Sequence, residues 1–362
     1  KNRCILGFCV EWMFRCFIEK AFARVCGLKD PVLDFVLRNV LESRGIVFFA
    51  RDDGRRLEDD FDVPNDGGLG SGNYAVVRLA QHRASGEKFA SKCLKTVVHV
   101  DGSGNLVGAD WHRLRHEIEA LSAVRGHPGM LLLHAVYEGV CAVNLVTELC
   151  AGGNLLQLLL PRRPHGLDEQ IVCQILQQLI DALVHVHAAP HHLAHCDVKL
   201  ENLMLVQQQC DDVLPPGGLK VVDFGSCASF AADPAENACL FTVFAGTRFY
   251  ASPEKMALRY GAKADIWAAG AVLYVLLAGV PADGRADQGA AELMRRGALS
   301  DLLQRPNRSF SGDVIEALGA LLSVEMVQRP TAARAQAQLA LLQAGGPRAA
   351  LDPCVEPRLE VT

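Results

Sequence analysis

Apolar residues at the start of the chain recur at helical spacing. Ile5, Phe8, Cys9, Trp12, Met13, Cys16 and Phe17 fall on one stripe, and Glu11, Arg15 and Glu19 recur every four residues on the other as an ion-paired row. The pattern predicts an amphipathic helix. Glu11 and Arg15 interrupt the apolar run from Cys4 to Ile18, which makes it a poor membrane span. The mixed sign of the polar face favours packing on protein over membrane contact through residues 4–26. A second helix is signalled by Asp30 as N-cap, Pro31 at the first helical position, an apolar face of Leu33, Val36, Leu37, Val40 and Leu41, and Gly45 as terminator. Residues 1–60 are therefore expected to form a helical N-terminal extension, set off by the charged stretch Arg51 to Asp60.

From Asp62 the texture changes. Short β-like runs at Ala75 to Ala80, Lys88 to Leu94 and Ala142 to Glu148 surround one helical stretch, Trp111 to Val124. Residues 61–148 read as a small β-rich lobe with one helix. Beyond Asn154 the apolar period becomes helical, notably over Glu169 to His187 and Ala264 to Ala278, so residues 149–343 read as a mainly α lobe. Gln207 to Gly218, with its Pro-Pro-Gly-Gly, reads as a turn inserted between two strands, and residues 344–362 as a tail without order.

Composition narrows the function classes. A chain of 362 residues, half of them hydrophobic, can bury one large core or two lobes with a cleft between them. A net charge of −5 and the absence of a dense basic run argue against nucleic acid as a partner. The 13 cysteines are scattered without Cys-x-x-Cys pairs, so neither a zinc site nor a disulfide framework is indicated, and reduced thiols in an intracellular, cytoplasmic setting fit best. The first residue is Lys1, which suggests a fragment or a processed form.

The chemistry is concentrated in two motifs. His195-Cys196-Asp197-Val198-Lys199-Leu200-Glu201-Asn202 is followed, after an apolar run, by Asp223-Phe224-Gly225. Moving a γ-phosphoryl group needs a carboxylate to orient a hydroxyl, a cation to offset charge on the transferred group, and oxygen ligands for magnesium. Asp197, Lys199 and the pair Asn202/Asp223 supply these in that order. Upstream, Leu69-Gly70-Ser71-Gly72 enters the β-branched run Ala75-Val76-Val77, a loop whose glycines let backbone N–H groups approach phosphates. Lys92 comes on the next strand and can hold the α- and β-phosphates if a carboxylate keeps it in place. Glu117 is favoured over Glu119 for that partner, because Leu121 falls one turn after Glu117 and shares its inward side.

In this order of motifs, from about Phe61 to about Leu342, the chain resembles the eukaryotic protein kinases. Ser252-Pro253-Glu254, Asp265-x-Trp267-x-x-Gly270 and Arg329-Pro330 complete the set. Leu145-Val146-Thr147-Glu148-Leu149-Cys150-Ala151-Gly152-Gly153 is similar to the serine/threonine branch near the calcium/calmodulin-dependent and plant-type calcium-dependent kinases, although no EF-hand loop occurs. The resemblance implies a two-lobed α+β kinase fold with ATP and Mg²⁺ as cofactors and proteins with Ser/Thr acceptors as substrates. It also implies that Thr147 is the gatekeeper, that main-chain groups of Glu148 and Cys150 bind adenine, and that Val77, Ala90 and Met204 sandwich the ring. Glu254 and Arg329 would form a buried pair, Asp265 would hold the catalytic loop from behind, and Thr247 would contact Asp197 and Lys199.

Some positions depart from the family pattern. Cys196 stands where most relatives have an arginine that meets an activation-segment phosphate, and Val243 stands at the usual phosphosite beside Thr242. Switching by that phosphate is therefore expected to be absent, as in a non-RD kinase, or to take another form, with the active conformation held by packing or by a partner. Asn154 and Val275 replace acidic residues of basophilic relatives, leaving Glu201 as the reader of substrate arginine. The alternative to an active enzyme is a pseudokinase scaffold, which loss of Lys92, Asp197 or Asp223 would favour; all three are present. A small-molecule kinase on the same fold is disfavoured by the peptide-platform elements Gly246-Thr247 and Ser252-Pro253-Glu254.

Overall fold

The computed structural model describes residues 38–39, 41–49, 54–64, 67–71, 75–95, 99–100, 106–107, 111–139, 142–162, 165–188, 190–208, 214–230, 241–279 and 310–343. The apolar stripe from Ile5 to Phe17, the span 4–26, the helix start at Asp30, Gly72 and the tail 344–362 lie outside them. The chain divides into two compact units, residues 1–126 with 131–150, and residues 127–130 with 151–362.

The first unit is built on seven strands: β1 (Val47–Phe49), β2 (Phe61–Asp62), β3 (Gly68–Ser71), β4 (Ala75–His82), β5 (Lys88–Lys95), β8 (Leu133–Glu138) and β9 (Ala142–Glu148). They form one sheet in the order β1-β8-β9-β5-β4-β2, with β3 paired to β4. A separate two-residue ladder joins β6 (His99–Val100) to β7 (Leu106–Val107). One turn of helix, α1 (Leu57–Asp60), precedes β2, and α2 (Trp111–Ala123) stands between β7 and β8. The β4–β5 and β5–β9 ladders are antiparallel and unbroken, which sets Lys92 opposite Val77 on one side and Leu145 on the other. Phe61, Phe89, Ala80, Ala135, Tyr137 and Val146 form the core under this sheet with Leu57.

Gly45 ends a helical run at 41–43 as the sequence suggests. It sits at φ +68°, with Gly45 N–H donating to the Glu42 carbonyl and Ile46 N–H to the Leu41 carbonyl, a Schellman end in which Leu41 and Ile46 are both buried. The residues after Ile46 are not helical. Val47–Phe49 is a strand that pairs parallel with β8 inside the span expected to be a helical extension. Three residues are too few to show a period, and only the free edge of β8 selects the extended form. The charged stretch beyond this strand is likewise tied to the sheet: Asp60 accepts from the Tyr137 hydroxyl at 2.6 Å and pairs with Arg55.

The second unit is mainly helical. Among the described residues its α-helices are α3 (Leu155–Leu159), α4 (Glu169–His187), α5 (Pro253–Met256), α6 (Lys263–Ala278), α7 (Gly312–Leu321) and α8 (Ala332–Gln343). Helix α6 is apolar on every side and buried along almost its whole length, so it forms the axis on which α4 and α7 pack. Val275 lies within it and is buried, so its apolar character serves the core. Asn154 caps α3 through Gln157 N–H at 2.9 Å, which gives that neutral residue a structural task. Two antiparallel ladders position the loops, one joining β10 (Leu193–Ala194) to β13 (Ala228–Ser229) and the other β11 (Leu203–Leu205) to β12 (Leu219–Val221). Gly217, at φ +70°, lies in the turn that leads into β12. A single bridge joins Phe241 to Tyr260.

Candidate active site

The nucleotide-side residues of the first unit lie on adjacent strands and α2. Gly70 and Ser71 pair with Val77 and Val76 across a bulge that begins at Gly68, and Leu69 is exposed at the strand edge. Ala90 stands opposite Thr147 in the ladder, and Thr147 is buried with its hydroxyl donating to the Glu148 carbonyl at 3.2 Å. Glu148 is fixed from both ends, its N–H on Leu132 O and its carboxylate accepting from Leu132 N–H at 2.7 Å. Cys150 is half-buried just beyond the end of β9.

Lys92 Nζ donates to Glu117 Oε1 at 2.5 Å. The reason for Glu117 is the helical period: its side chain is 6% exposed and Leu121 beside it is buried, whereas Glu119 is 40% exposed and pairs with Arg115 one turn back. A pair shielded in this way aims an ammonium more firmly than a solvated one would.

In the second unit Asp197, Lys199, Thr247 and Asn202 form one closed network. Lys199 Nζ donates to Asp197 Oδ2 at 2.8 Å and to Thr247 Oγ1 at 2.9 Å; the Thr247 hydroxyl in turn donates to Asp197 Oδ1 at 2.9 Å. Asn202 Nδ2 donates to the Asp197 carbonyl at 2.9 Å and to its Oδ2 at 3.2 Å. Three donors thus fix one carboxylate. The Asn202 carbonyl accepts from Val222 N–H at 3.0 Å, which brings the residue next to Asp223 beside Asn202. An amide oxygen and a carboxylate are the hard oxygen donors that suit Mg²⁺, which binds through one or two protein ligands and keeps waters and phosphate oxygens for the rest. Among the described residues no cluster of three or more His, Cys, Asp or Glu offers a richer metal site. Asp223 takes φ +63°, a left-handed conformation, and the Phe224 that follows it is fully buried. Met204 is half-buried on β11 and bridges to Asn154.

The supports of this loop are themselves buried. His195 is wholly enclosed; its Nε2–H donates to the Val222 carbonyl at 3.0 Å, and its Nδ1 accepts from Asp197 N–H at 3.2 Å, so the neutral tautomer links the two motifs. Asp265 accepts from the backbone N–H of His195 at 2.7 Å, that of Cys196 at 2.9 Å, and His187 Nε2 at 2.9 Å. Burial alone would raise its carboxyl, yet these partners hold it below the usual carboxylate range. Burial likewise opposes ionisation of Glu254, and the hydrogen bond and charge of Arg329 overcome it to lower its value. Cys196 is pushed up by desolvation and stays a thiol at neutral pH.

Both carboxyls ionise more readily folded than unfolded, so their stabilisation is present above the ordinary carboxylate value and is lost as pH falls through the lower, folded one. The melting temperature is expected to be level at neutral pH and to drop below about pH 4. Glu254→Gln should lower the plateau and shrink that drop. A melting temperature that rises on acidification would contradict this.

A protein kinase domain matches residues 65–339 of the chain. The chain belongs to the protein kinase family. This kinase chain is 32% identical over 267 residues to Calcium-dependent protein kinase 1 of Arabidopsis thaliana, an overlap covering 73% of this chain and 40% of that protein. It is 33% identical over 270 residues to Calcium-dependent protein kinase 9 of Oryza sativa subsp. japonica, covering 73% and 42%. With Calcium-dependent protein kinase 5 of Arabidopsis thaliana it shares 31% over 296 residues, covering 81% and 49%. It therefore spans less than half the length of these curated relatives. Among the described residues no helix is long and apolar enough to cross a membrane.

Two features of this kinase domain were not legible in the motifs. One is Lys255, a buried lysine whose ammonium donates to the Cys196 carbonyl. The other is the left-handed backbone of Cys196, φ +64°. No periodicity marks either, because each depends on segments far apart in sequence.

Proposed function

We propose that the chain transfers the γ-phosphoryl group of ATP to serine and threonine hydroxyls of protein substrates. The observation that carries this is the closed network of Asp197, Lys199, Thr247 and Asn202, in which one carboxylate is held by three donors and a hydroxyl-bearing residue completes the ring. Bound Mg·ATP supplies the electrophilic phosphoryl group and neutralises its charge. Asn202 and Asp223 would hold the metal. Asp197 orients the incoming hydroxyl and takes its proton at a carboxylate oxygen, Lys199 offsets charge on the transferred group, and Lys92, aimed by Glu117, places the α- and β-phosphates. Thr247 supports Ser/Thr acceptors by tying the acceptor-side segment to Asp197 and Lys199.

A scaffold that binds nucleotide without turnover would need one of these parts to be missing, and the chain retains them all. The relatives are named calcium-dependent. This sequence contains no EF-hand loop, and calcium control is not proposed for it.

Glu201 has a buried Oε2 without a hydrogen-bond partner among the described residues, and a substrate guanidinium that reached this side chain would supply the missing donor. On a peptide array with Mg·ATP, serine and threonine peptides should be labelled and tyrosine peptides not. Selection for upstream arginine should be weak and fall further with Glu201→Gln. Absence of labelling would sink the enzymatic reading; strong arginine selection untouched by that substitution would sink the placement of Glu201.

A further inference from the structure

Cys196 immediately precedes Asp197 and takes φ +64°, a region that a residue with a Cβ occupies only when its surroundings impose it. Its backbone therefore sets where the Asp197 carboxylate points. Two groups grip it. Its N–H donates to Asp265 Oδ1 at 2.9 Å, and its carbonyl accepts from Lys255 Nζ. The same carbonyl lies against Gly246, at φ +92°, where a Cβ would also come within 2.9 Å of Asp197 Oδ1. Lys255 thus joins α5, the catalytic loop and the Gly246-Thr247 segment at one point.

The charge on Lys255 is not explained by packing. The residue is 5% exposed, its ammonium stands 5.3 Å from the centre of the Tyr260 ring and 5.7 Å from that of Phe244, and among the described residues no carboxylate forms an ion pair with it. The anionic group that faces it is Asp265, on the far side of the Cys196 peptide. Burying an ammonium carries a desolvation cost that a methionine in the same space would not, and one carbonyl and two ring faces offset part of it. What methionine cannot do is donate to that carbonyl.

We propose that Lys255 is a positioning residue for phosphoryl transfer: it holds the Cys196 carbonyl, keeps Cys196 left-handed and so aims Asp197. The aromatic seat is itself anchored, since the Tyr260 hydroxyl donates to the Val243 carbonyl at 2.8 Å and Phe241 bridges Tyr260. This inference rests on the reading of the chain as an active kinase.

The test uses the full chain, with steady-state kinetics on a labelled peptide and hydrogen exchange over residues 193–199. Lys255→Met should lower kcat about 10- to 100-fold, the scale of a misaimed catalytic group, with the KM for ATP changed by less than about two-fold. Lys255→Arg, which keeps a donor, should retain more activity. Glycine adopts a positive φ freely, so Cys196→Gly placed in the Lys255→Met background should recover part of the lost kcat and of the lost exchange protection. A merely structural lysine would not be rescued in this way. If the methionine variant does not fold, Lys255→Leu, which also lacks a donor, gives the same comparison. Wild-type kcat and exchange in the neutral variants, or no recovery on adding the glycine, would overturn the proposal. An inactive wild type would defeat the kinase reading instead, and the exchange comparison would still decide whether Lys255 holds Cys196.

Discussion

Asp223→Asn is expected to lower kcat by about 10³-fold or more with little change in melting temperature. As the proposed magnesium ligand, the carboxylate would contribute a full negative charge, whereas an amide of the same shape offers only a dipole. The fold should tolerate the change because the residue sits at φ +63°, a conformation that asparagine adopts as readily as aspartate. Phe224 behind it is fully buried and untouched by the substitution. Lys92→Met should also abolish turnover, but with a measurable loss of stability, since Glu117 is left with a 6% exposed carboxylate deprived of its ammonium. Single-turnover and steady-state phosphate transfer, paired with thermal unfolding, separate the two. Undiminished transfer by purified Asp223→Asn protein would remove the assignment of Asp223 as a metal ligand.

Arg329→Met should produce the largest stability loss. The arginine side chain has no exposure, and it grips Glu254 at 2.5 and 3.1 Å while donating to the Ser323 carbonyl at 3.0 and 3.2 Å and to the Lys263 carbonyl at 2.9 Å. Its guanidinium also lies over the Trp267 ring at 5.1 Å. Methionine fills part of the volume but strips the buried Glu254 carboxylate of its guanidinium and the Ser323 and Lys263 carbonyls of the arginine donors. Breaking a buried pair from one side costs about 3–5 kcal/mol, which for a domain of this size lowers the melting temperature on the order of 10 °C. The double variant Glu254→Gln/Arg329→Met should recover part of that loss, because the orphaned charge is then gone. A drop of less than about 3 °C for the single variant would show that the pair does not brace this unit.

Much of the fold and the order of the candidate site are legible in the sequence, for physical reasons. Helix α4 appears over Glu169–His187 as its period predicts, since nineteen residues leave room for a 3.6-residue repeat to declare itself. Strands β4, β5 and β9 begin where the β-like runs begin. Glu117 could be preferred to Glu119 from sequence because the facing of a helix is a local property. Motif chemistry is local as well: Asp197, Lys199 and Asn202 fall within six residues, and the residue types alone supply a carboxylate, a cation and a candidate metal ligand.

Only the tertiary structure decided the pairings between remote segments and the conformations they impose. The strand Val47–Phe49 exists because β8 offers an edge, and three residues cannot carry a period of their own. Asn154 and Val275 look in sequence like positions stripped of substrate-reading charge, yet one caps a helix and the other is buried in α6. Nothing in the order Ser252-Pro253-Glu254-Lys255 shows that the lysine reaches the carbonyl of Cys196, 59 residues earlier. The left-handed turn at Cys196 has the same origin. Sequence by itself determines which residues carry charge and which faces are apolar, because those are properties of one residue or one short period. Burial, hydrogen-bond partners and backbone strain are properties of the packed whole, where separate stretches of chain compete for the same space.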